Sequence, residues 1–308
     1  MELAGNYVKI LLTGGTGFIG SNLIPFLQSA GHELVALTRC RRILSLKSSD
    51  LDEWVEADLA ALEWDPISTL PSKIDVIIHL AQSKHYQDFP EHGADIYGVN
   101  TAATFKLLDY GQKVGASHFI YASSGSLYNG ITKPALSEDE PINPSNFSSD
   151  PLGFYCASKL AGEILVEGFR NCYKSTASLR IFAPYGKGGD AALVNRLANR
   201  VKNGGHINIQ GNPGLTMNPI HVDDVTRFIT LLLKEQNHIG SLNIAGQENV
   251  SLTNIVKMAG ELCGETPDIS YHAANSQGDL IADIKKMKGF SLEPDISLEE
   301  GIQGIIES

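Results

Sequence analysis

The pair Tyr155 and Lys159 is the feature of the sequence with the clearest chemical use. On a helix, a separation of four residues puts the phenol and the ammonium one turn apart on the same face. A nearby cation stabilises the phenolate and lowers the pKa of a tyrosine, as general acid-base catalysis near neutral pH requires. The spacing predicts a proton-transfer pair, although it is also common on solvated helices, so the rest of the chain has to support this interpretation.

A glycine-rich turn occupies residues 13–20, which read T-G-G-T-G-F-I-G after an apolar run. The amides of such a turn, together with the N-terminus of the helix that it opens, favour an anion. Gly14 allows the turn, Gly17 lets a pyrophosphate approach the backbone, and Gly20 lets the helix pack closely on the strand. Because a second strand-like run follows after one helix length, the segment predicts a βαβ unit that binds a dinucleotide.

Strand-like apolar runs alternate with helical patterns through the first part of the chain. The runs cover residues 7–12, 33–37, 54–57, 76–80, 118–122 and 178–182. This alternation predicts an α/β fold with a Rossmann-type doubly wound parallel sheet. Beyond it we expect helices over 191–203 and 222–234 and a strand over 206–210. The expected organisation is an NAD(P)-binding domain over 1–183, to which later segments return, and a smaller C-terminal α/β substrate lobe over 184–308.

The spacing G-x-x-G-x-x-G after Thr13 resembles that of the short-chain dehydrogenase/reductase superfamily, in particular its extended branch of nucleotide-sugar epimerases, dehydratases and ketoreductases. The segment 123–128 resembles the S-S-x-x-V-Y-G of that branch. The resemblance implies that Ser124 hydrogen-bonds the reacting oxygen of the substrate, with Ser126 as the alternative. Asn100 matches a helical asparagine that kinks its helix and anchors a water leading to the lysine. The expected catalytic residues are Asn100, Ser124, Tyr155 and Lys159.

The resemblance also implies where a dinucleotide binds. The pair Asp58 and Leu59 matches one whose carboxylate accepts a hydrogen bond from adenine, although an aspartate that caps the next helix reads equally well from the sequence. Residues 79–82, H-L-A-Q, match a segment beside the ribose and pyrophosphate, and only Gln82 departs from it. The expected cofactor-binding residues are Gly14, Thr16, Gly17, Phe18, Ile19, Gly20, Thr38, Arg39, Asp58, Leu59, Leu80, Ala81, Gln82, Asn100, Tyr155, Lys159, Phe182 and Pro184.

The end of the second strand bears on the choice between NAD and NADP. Thr38 and Arg39 stand where NAD-preferring relatives carry an acidic residue for the ribose 2′-hydroxyl. Arg39 can stack on adenine and pair with a 2′-phosphate. We therefore expect NADP rather than NAD. The alternative is that Arg39, Arg41 and Arg42 form a solvated loop and that NAD is held by the hydroxyl of Thr38.

Segments 179–186 and 219–225 resemble two further motifs of the branch, which extends the resemblance over nearly the whole chain. Two positions depart from it: Ala183 replaces an asparagine, and Met217 replaces an arginine that grips the substrate diphosphate in many sugar-nucleotide enzymes. Cations elsewhere in the C-terminal lobe can supply that grip instead. The expected substrate-binding residues are Ser124, Ser126, Tyr155, Ala183, Lys187, Arg196, Arg200 and Met217.

These residues predict an NAD(P)-dependent enzyme that transfers a hydride between nicotinamide and a carbonyl or carbinol carbon of a nucleotide-activated sugar, as a 4-ketoreductase or a 4-epimerase. Gly125 and Ser126 replace the Asp-Glu pair of the 4,6-dehydratases, which argues against dehydration. Two alternatives stay open. One is an NADPH-dependent reductase of a small non-sugar ketone or aldehyde, favoured by Ala183 and Met217. The other is a non-catalytic NADP-binding sensor or scaffold, against which the Tyr155–Lys159 pair argues.

Composition restricts the partners. A net charge of -11 over 308 residues disfavours nucleic acid. With no apolar run long enough for a membrane span and no signal-like N-terminus, we expect a soluble cytoplasmic protein without a membrane partner. The four cysteines lack C-x-x-C spacing, and we expect no metal site. Helices expected near 95–114 and 155–173 resemble those of a four-helix dimer interface, which predicts a homodimer.

Overall fold

The computed structural model describes residues 7–39, 53–149, 152–273, 278–291 and 293–308. Cys40, Arg41 and Arg42 therefore lie outside the described residues. The chain forms two compact units. The first comprises Met1–Ser123, Phe147–Leu179 and Thr226–Ser241, and the second comprises Ser124–Asn146, Arg180–Val225 and Leu242–Ser308.

The strands and helices follow one another along the whole chain. The strands are β1 (Lys9–Thr13), β2 (Glu33–Thr38), β3 (Glu53–Glu56), β4 (Val76–His79), β5 (His118–Ser124), β6 (Ser175–Ile181), β7 (Ile207–Gln210), β8 (Thr216–Met217), β9 (Gly240–Ile244), β10 (Val250–Ser251) and β11 (Ile269–His272). The helices are α1 (Phe18–Ser29), α2 (Pro66–Thr69), α3 (Gly93–Tyr97), α4 (Ala103–Val114), α5 (Gly153–Gly168), α6 (Leu193–Lys202), α7 (Val222–Leu232), α8 (Leu252–Cys263), α9 (Lys285–Lys288) and α10 (Leu298–Glu307).

A seven-stranded sheet in the order β3-β2-β1-β4-β5-β6-β9 confirms the predicted Rossmann-type fold. The pairs β1–β2, β1–β4, β2–β3 and β4–β5 are parallel. Central strands are covered on both faces, which is why they read as continuous apolar runs. Ile10, Leu11 and Leu12 of β1, for example, are fully buried. Strand β9, which the sequence analysis did not predict, completes the sheet next to β6.

The second unit has its own core, in which α6, α8 and α10 pack around the parallel pair β7–β11. Buried members of this core include Val194, Ala198, Ile207, Ile255 and Ile302. A second, antiparallel pair joins β8 to β10. In the part of the chain that the structure describes, no helix has both the length and the apolar character needed to cross a membrane.

Helix α5 packs against β5 through a residue without a side chain. A Cβ atom at Gly162 would overlap the hydroxyl and ring of Tyr121 on β5. At Gly168, the last residue of the same helix, a Cβ atom would meet nothing within 4 Å. The absence of a side chain at Gly162 therefore sets how closely α5 approaches the sheet.

This difference predicts opposite effects of two matched substitutions. We expect Gly162→Ala to lower the free energy of unfolding by about 1–3 kcal/mol, because it overpacks the contact with Tyr121. Gly168→Ala relieves the low helix propensity of glycine without a clash and should be neutral or stabilising by up to about 1 kcal/mol. Urea denaturation of the two variants measures both values. Equal stability changes in the two variants would show that the Tyr121 contact does not limit the approach of α5.

Candidate active site

Helix α5 places Tyr155 and Lys159 on one buried face, as their four-residue spacing predicts. The Lys159 Nζ atom lies 5.8 Å from the centroid of the Tyr155 ring and 5.2 Å from that of Tyr121. Two aromatic faces therefore surround the ammonium, which is a favourable environment for a cation.

Lys159 is almost completely removed from solvent, with 1% of its surface exposed. Its Nζ donates a hydrogen bond of 2.7 Å to the carbonyl oxygen of Ala122, near the end of β5. Burial lowers the pKa of Lys159 to about 7, because the charged form loses hydration, and the nearby carboxylate of Glu163 opposes this shift. The charge of this side chain therefore changes near neutral pH.

Glu163 is a member of the site that the sequence analysis missed. It lies one turn beyond Lys159 on α5, and only 7% of its surface is exposed. Ser123 Oγ donates to its Oε1 atom at 2.5 Å, and Ser241 Oγ donates to its Oε2 atom at 3.1 Å. The sequence does contain a signal for Glu163, because this residue continues the four-residue spacing from Tyr155 to Lys159.

Asn100 lies at the centre of a π-helical turn, Gly98–Ala102, which provides the kink expected at this asparagine. Its side chain is fully buried and forms two hydrogen bonds. Asn100 Oδ1 accepts from the backbone N–H of Ser83 at 2.9 Å, and Nδ2 donates to Ser158 Oγ at 2.9 Å. Because Ser158 directly precedes Lys159, Asn100 links the segment after β4 to the face of α5 that carries Lys159.

His79, the last residue of β4, connects β1 to α4 through the two nitrogens of its ring. Its Nδ1 atom lies 2.6 Å from Thr13 Oγ1, and its Nε2 atom lies 3.0 Å from Thr104 Oγ1. Thr104 Oγ1 donates its one proton to the carbonyl of Asn100, so it accepts from His79, whose proton is therefore on Nε2. Burial and the charge of Lys159 lower the pKa of His79 to about 3, which keeps the ring neutral.

The hydroxyl of Tyr155 donates a hydrogen bond of 3.3 Å to Gln82 Oε1. Gln82 is the position at which the H-L-A-Q segment departs from the family pattern, so the departure supplies a polar partner for the phenol. The ring of Tyr86 lies 5.1 Å from that of Tyr155, centroid to centroid. Tyr155 is thus fixed from both its hydroxyl and its ring.

The glycine turn has the properties of a pyrophosphate site. Gly14 has a φ of 73°, and a Cβ atom there would lie 2.8 Å from the backbone nitrogen of Ala81. Gly17 is exposed and is the N-cap residue that precedes α1, where it provides no side-chain cap. Amides at an uncapped helix N-terminus favour a phosphate group, so the residues present here fit a dinucleotide.

The other expected cofactor residues of the first unit lie at the ends of its strands and turns. Thr38 is the buried last residue of β2, and Arg39 follows it at the surface. Asp58 is exposed, and its Oδ1 atom accepts a 3.0 Å hydrogen bond from the N–H of Ala60. This bond closes a local turn. Leu59 is part of the core, while Thr16, Phe18, Ile19 and Leu80 are partly buried.

Ser124 and Ser126 belong to the second unit, whereas Asn100, Tyr155 and Lys159 belong to the first. Ser124 Oγ accepts a hydrogen bond of 3.1 Å from the N–H of Ser126 and caps the short 3-10 helix Gly125–Tyr128. Since this bond uses a lone pair of the oxygen, the hydroxyl proton of Ser124 stays available for another acceptor.

The substrate residues expected in the second unit differ in their exposure. Met217 is buried in β8. Lys187 and Arg196 are exposed, and so is Arg200, whose Nε donates a 2.6 Å hydrogen bond to the carbonyl of His206. Ala183 has a φ of 39° and, like Pro184, is partly buried, next to the buried Phe182. The position of Met217 is therefore apolar core, and cations lie elsewhere on this unit.

The Rossmann-type sheet and the glycine turn define the class of protein, an NAD(P)-dependent short-chain dehydrogenase/reductase. The sequence profile of the "NAD dependent epimerase/dehydratase family" matches residues 10–245, and the chain belongs to that family. The chain is 28% identical over 320 residues to the UDP-glucose 4-epimerase of Mycolicibacterium smegmatis, with 97% of this chain and 98% of that protein covered.

The chain is also similar to a reductase and to a solved structure that contains NAD. The dTDP-4-dehydro-6-deoxy-D-allose reductase of Streptomyces bikiniensis is 27% identical over 303 residues, covering 90% of this chain and 89% of that protein. The structure of MoeE5 in complex with UDP-glucuronic acid and NAD matches with a TM-score of 0.80 at 27% identity, covering 97% of this chain and 98% of that one.

The position of Glu163 predicts a change in the pH dependence of turnover. Glu163→Gln keeps one acceptor oxygen for a serine, turns the other carboxylate oxygen into an N–H₂ donor, and removes the charge that raises the pKa of Lys159. The ammonium is lost as pH rises through that pKa, so we expect the ratio of activity at pH 8 to activity at pH 6 to fall severalfold. The pH profile of kcat/KM measures this ratio.

The control is Glu167→Gln, one turn further along α5. Glu167 is exposed, pairs with Arg170 at 2.8 Å, and borders the same surface depression of about 320 Å³ as Glu163. This variant should keep the wild-type pH profile. If Glu163→Gln also keeps it while folding normally, Glu163 does not control the charge of Lys159.

Proposed function

We propose that this protein is an NAD(P)-dependent enzyme that acts on C4 of a nucleotide-activated sugar, as a 4-epimerase or a 4-ketoreductase. The observation that carries the proposal is the buried Lys159, whose pKa is about 7, beside the ring of Tyr155. A perturbed pKa next to a proton-transfer group is typical of catalytic sites. The names of the M. smegmatis epimerase and the S. bikiniensis reductase support the nucleotide-sugar substrate.

In the proposed mechanism, Tyr155 exchanges a proton with the oxygen on the reacting carbon. The ammonium of Lys159 favours the phenolate form of Tyr155 through its charge. Ser124 donates a hydrogen bond to the same substrate oxygen, and Asn100 keeps α5 in place through Ser158. NAD(P), when bound, supplies the hydride acceptor or donor of the reaction. The uncapped N-terminus of α1 and the glycine turn would hold its pyrophosphate.

The second unit supplies the proposed grip on the substrate diphosphate. Met217 is buried and apolar, so it cannot pair with a phosphate. Arg196 and Arg200 lie four residues apart on one face of α6, opposite its buried residues Val194 and Ala198. We assign the diphosphate to this basic face, mainly to Arg196, because the Nε atom of Arg200 is already bonded to His206.

We propose NADP as the preferred dinucleotide, while the MoeE5 complex contains NAD. The end of β2 supports this choice, since Thr38 and the exposed Arg39 offer no carboxylate that would repel a 2′-phosphate.

We propose the cytoplasm as the location of the protein. Cys172 is a free thiol at the surface, and such a thiol suits a reducing compartment.

We propose a homodimer formed through α3, α4 and α5. Large apolar side chains are exposed on these helices: Tyr97 and Phe105 are each 49% exposed, and Ile164 is 64% exposed. Exposed apolar side chains gathered on packed helices are typical of a protein–protein interface.

The substitution Tyr155→Phe tests the proposed function. It removes the transferable proton and keeps the ring, so turnover should fall by at least about a hundredfold while cofactor affinity is preserved. The assay incubates the enzyme with UDP-glucose, UDP-galactose and UDP-glucuronic acid and follows the C4 configuration by NMR, with NAD(P) binding measured by calorimetry. Near-wild-type turnover in this variant would remove Tyr155 from the mechanism, and wild type inactive on every sugar nucleotide would contradict the substrate class.

The cofactor proposal predicts a selective effect of Arg39→Ala. Loss of a charge-assisted contact to the 2′-phosphate should weaken NADP binding by about 1.5–3 kcal/mol and leave NAD binding nearly unchanged. Calorimetry with both dinucleotides measures this difference. Arg196→Ala, which removes an exposed cation from the second unit, serves as the control and should weaken nucleoside diphosphates but not NADP. Equal weakening of NAD and NADP by Arg39→Ala would contradict a role in cofactor choice.

The dimer proposal predicts that a charge at Ile164 separates the protomers. Because the side chain is mostly exposed, Ile164→Glu should leave the fold intact and weaken association at least about tenfold. Leu62→Glu, at a residue that is 61% exposed outside these helices, is the control and should have no effect. Light scattering at micromolar concentration gives the masses. A monomeric wild type would refute the dimer.

A further inference from the structure

Three potential metal ligands converge in the segment that follows β4. His85 Nδ1 lies 2.9 Å from Asp88 Oδ2, and the rings of His85 and His92 stack with their centroids 3.7 Å apart and their planes 10° from parallel. One ligand atom of each of the three residues lies within 4.8 Å of the others. Among the described residues, this is the one such group of three.

The backbone of this segment fixes the three residues relative to one another. The N–H of Asp88 donates to the carbonyl of His85 at 2.8 Å, and the N–H of His92 donates to the carbonyl of Asp88 at 2.8 Å. Ser83 Oγ accepts a hydrogen bond of 3.1 Å from the N–H of His85. Two consecutive turns therefore bring His85, Asp88 and His92 to one side of the segment, just before α3 begins.

We propose that His85, Asp88 and His92 bind a divalent transition-metal cation, with Zn²⁺ the best match. Two imidazole nitrogens and one carboxylate oxygen are ligands that Zn²⁺ accepts, with water completing the coordination. Magnesium and calcium prefer sets made only of oxygen ligands, so they fit this site poorly. Nothing in the proposed reaction uses this site, and binding there is independent of the proposed function.

The three side chains need one rearrangement before they can coordinate an ion together. Zn–N bonds of about 2.0–2.1 Å in tetrahedral geometry require ligand atoms about 3.4 Å apart. Each imidazole can offer one ring nitrogen to a metal. For both nitrogens to point at one ion, one ring has to turn out of the stack. His92 is exposed and its side chain forms no capping hydrogen bond with α3, so it is free to turn.

The His85–Asp88–His92 site lies close enough to Tyr155 for a bound cation to affect that residue. Tyr86 lies between two of the ligands in sequence, and its ring packs 5.1 Å from that of Tyr155. A bound cation would fix Tyr86 together with its neighbours and restrict the movement of Tyr155. We therefore expect Zn²⁺ to lower turnover. This consequence rests on the proposed function, whereas the binding itself does not.

Calorimetric titration of the tag-free full chain with zinc chloride tests the proposal. We expect one Zn²⁺ per chain and affinities at least about tenfold lower in both His85→Ala and His92→Ala, because each removes one ligand. A large excess of Mg²⁺ should not displace the zinc. Absence of saturable Zn²⁺ binding by wild type, or unchanged affinity in His92→Ala, would overturn the proposal.

The control is His206→Ala. His206 Nδ1 also lies 2.8 Å from a carboxylate, that of Asp268, and both side chains are exposed, but among the described residues this pair belongs to no group of three. The His206→Ala variant should bind Zn²⁺ as wild type does. A loss of affinity equal to that of His85→Ala or His92→Ala would overturn the assignment. Thermal melting verifies folding, and Asp88→Asn replaces either alanine variant that does not fold. The absorption spectrum of the Co²⁺-loaded chain provides a second readout, since it should change in His92→Ala and not in His206→Ala.

Discussion

The candidate active site depends on the burial of one ammonium group. Removing the charge of Lys159 from water is costly, and the fold offsets that cost with the carbonyl of Ala122, the carboxylate of Glu163 and the faces of two tyrosine rings. The compensation is partial, so the pKa of the side chain falls to about 7. A lysine that remained in solvent would stay charged through the physiological range and could not respond to changes in its surroundings.

The end of β5 provides two of the groups that stabilise the buried charges of α5. Consecutive residues there bind the two charged groups of α5: Ala122 accepts from Lys159, and Ser123 donates to Glu163. Gly162 permits the close approach of α5 to this strand, and the π-helical turn at Asn100 holds the helix through Ser158. The site therefore depends on how closely a helix packs on a sheet as much as on the identity of its residues.

The sequence predicted those parts of the structure that depend on local pattern. Central strands are apolar along their length because both faces are covered, and the glycine turn is constrained by close backbone approach at Gly14. Strand β9 was missed because Gly240–Ile244 lies far along the chain from its neighbour β6, and no local pattern specifies such a pairing. Likewise, Ser241 meets Glu163 only through the fold. The cofactor preference predicted from Arg39 depends on contacts with a ligand, which neither the sequence nor the fold alone contains.

The most direct test of this account is an NMR titration of Lys159 itself. In protein labelled with ¹³C-lysine, the signal of the Lys159 side chain can be assigned by its absence in Lys159→Arg, and its shift followed against pH. The account predicts a titration centred near the pKa of about 7, well below the ordinary pKa of a lysine side chain. Protonation of Lys159 that persists up to about pH 10 would contradict it.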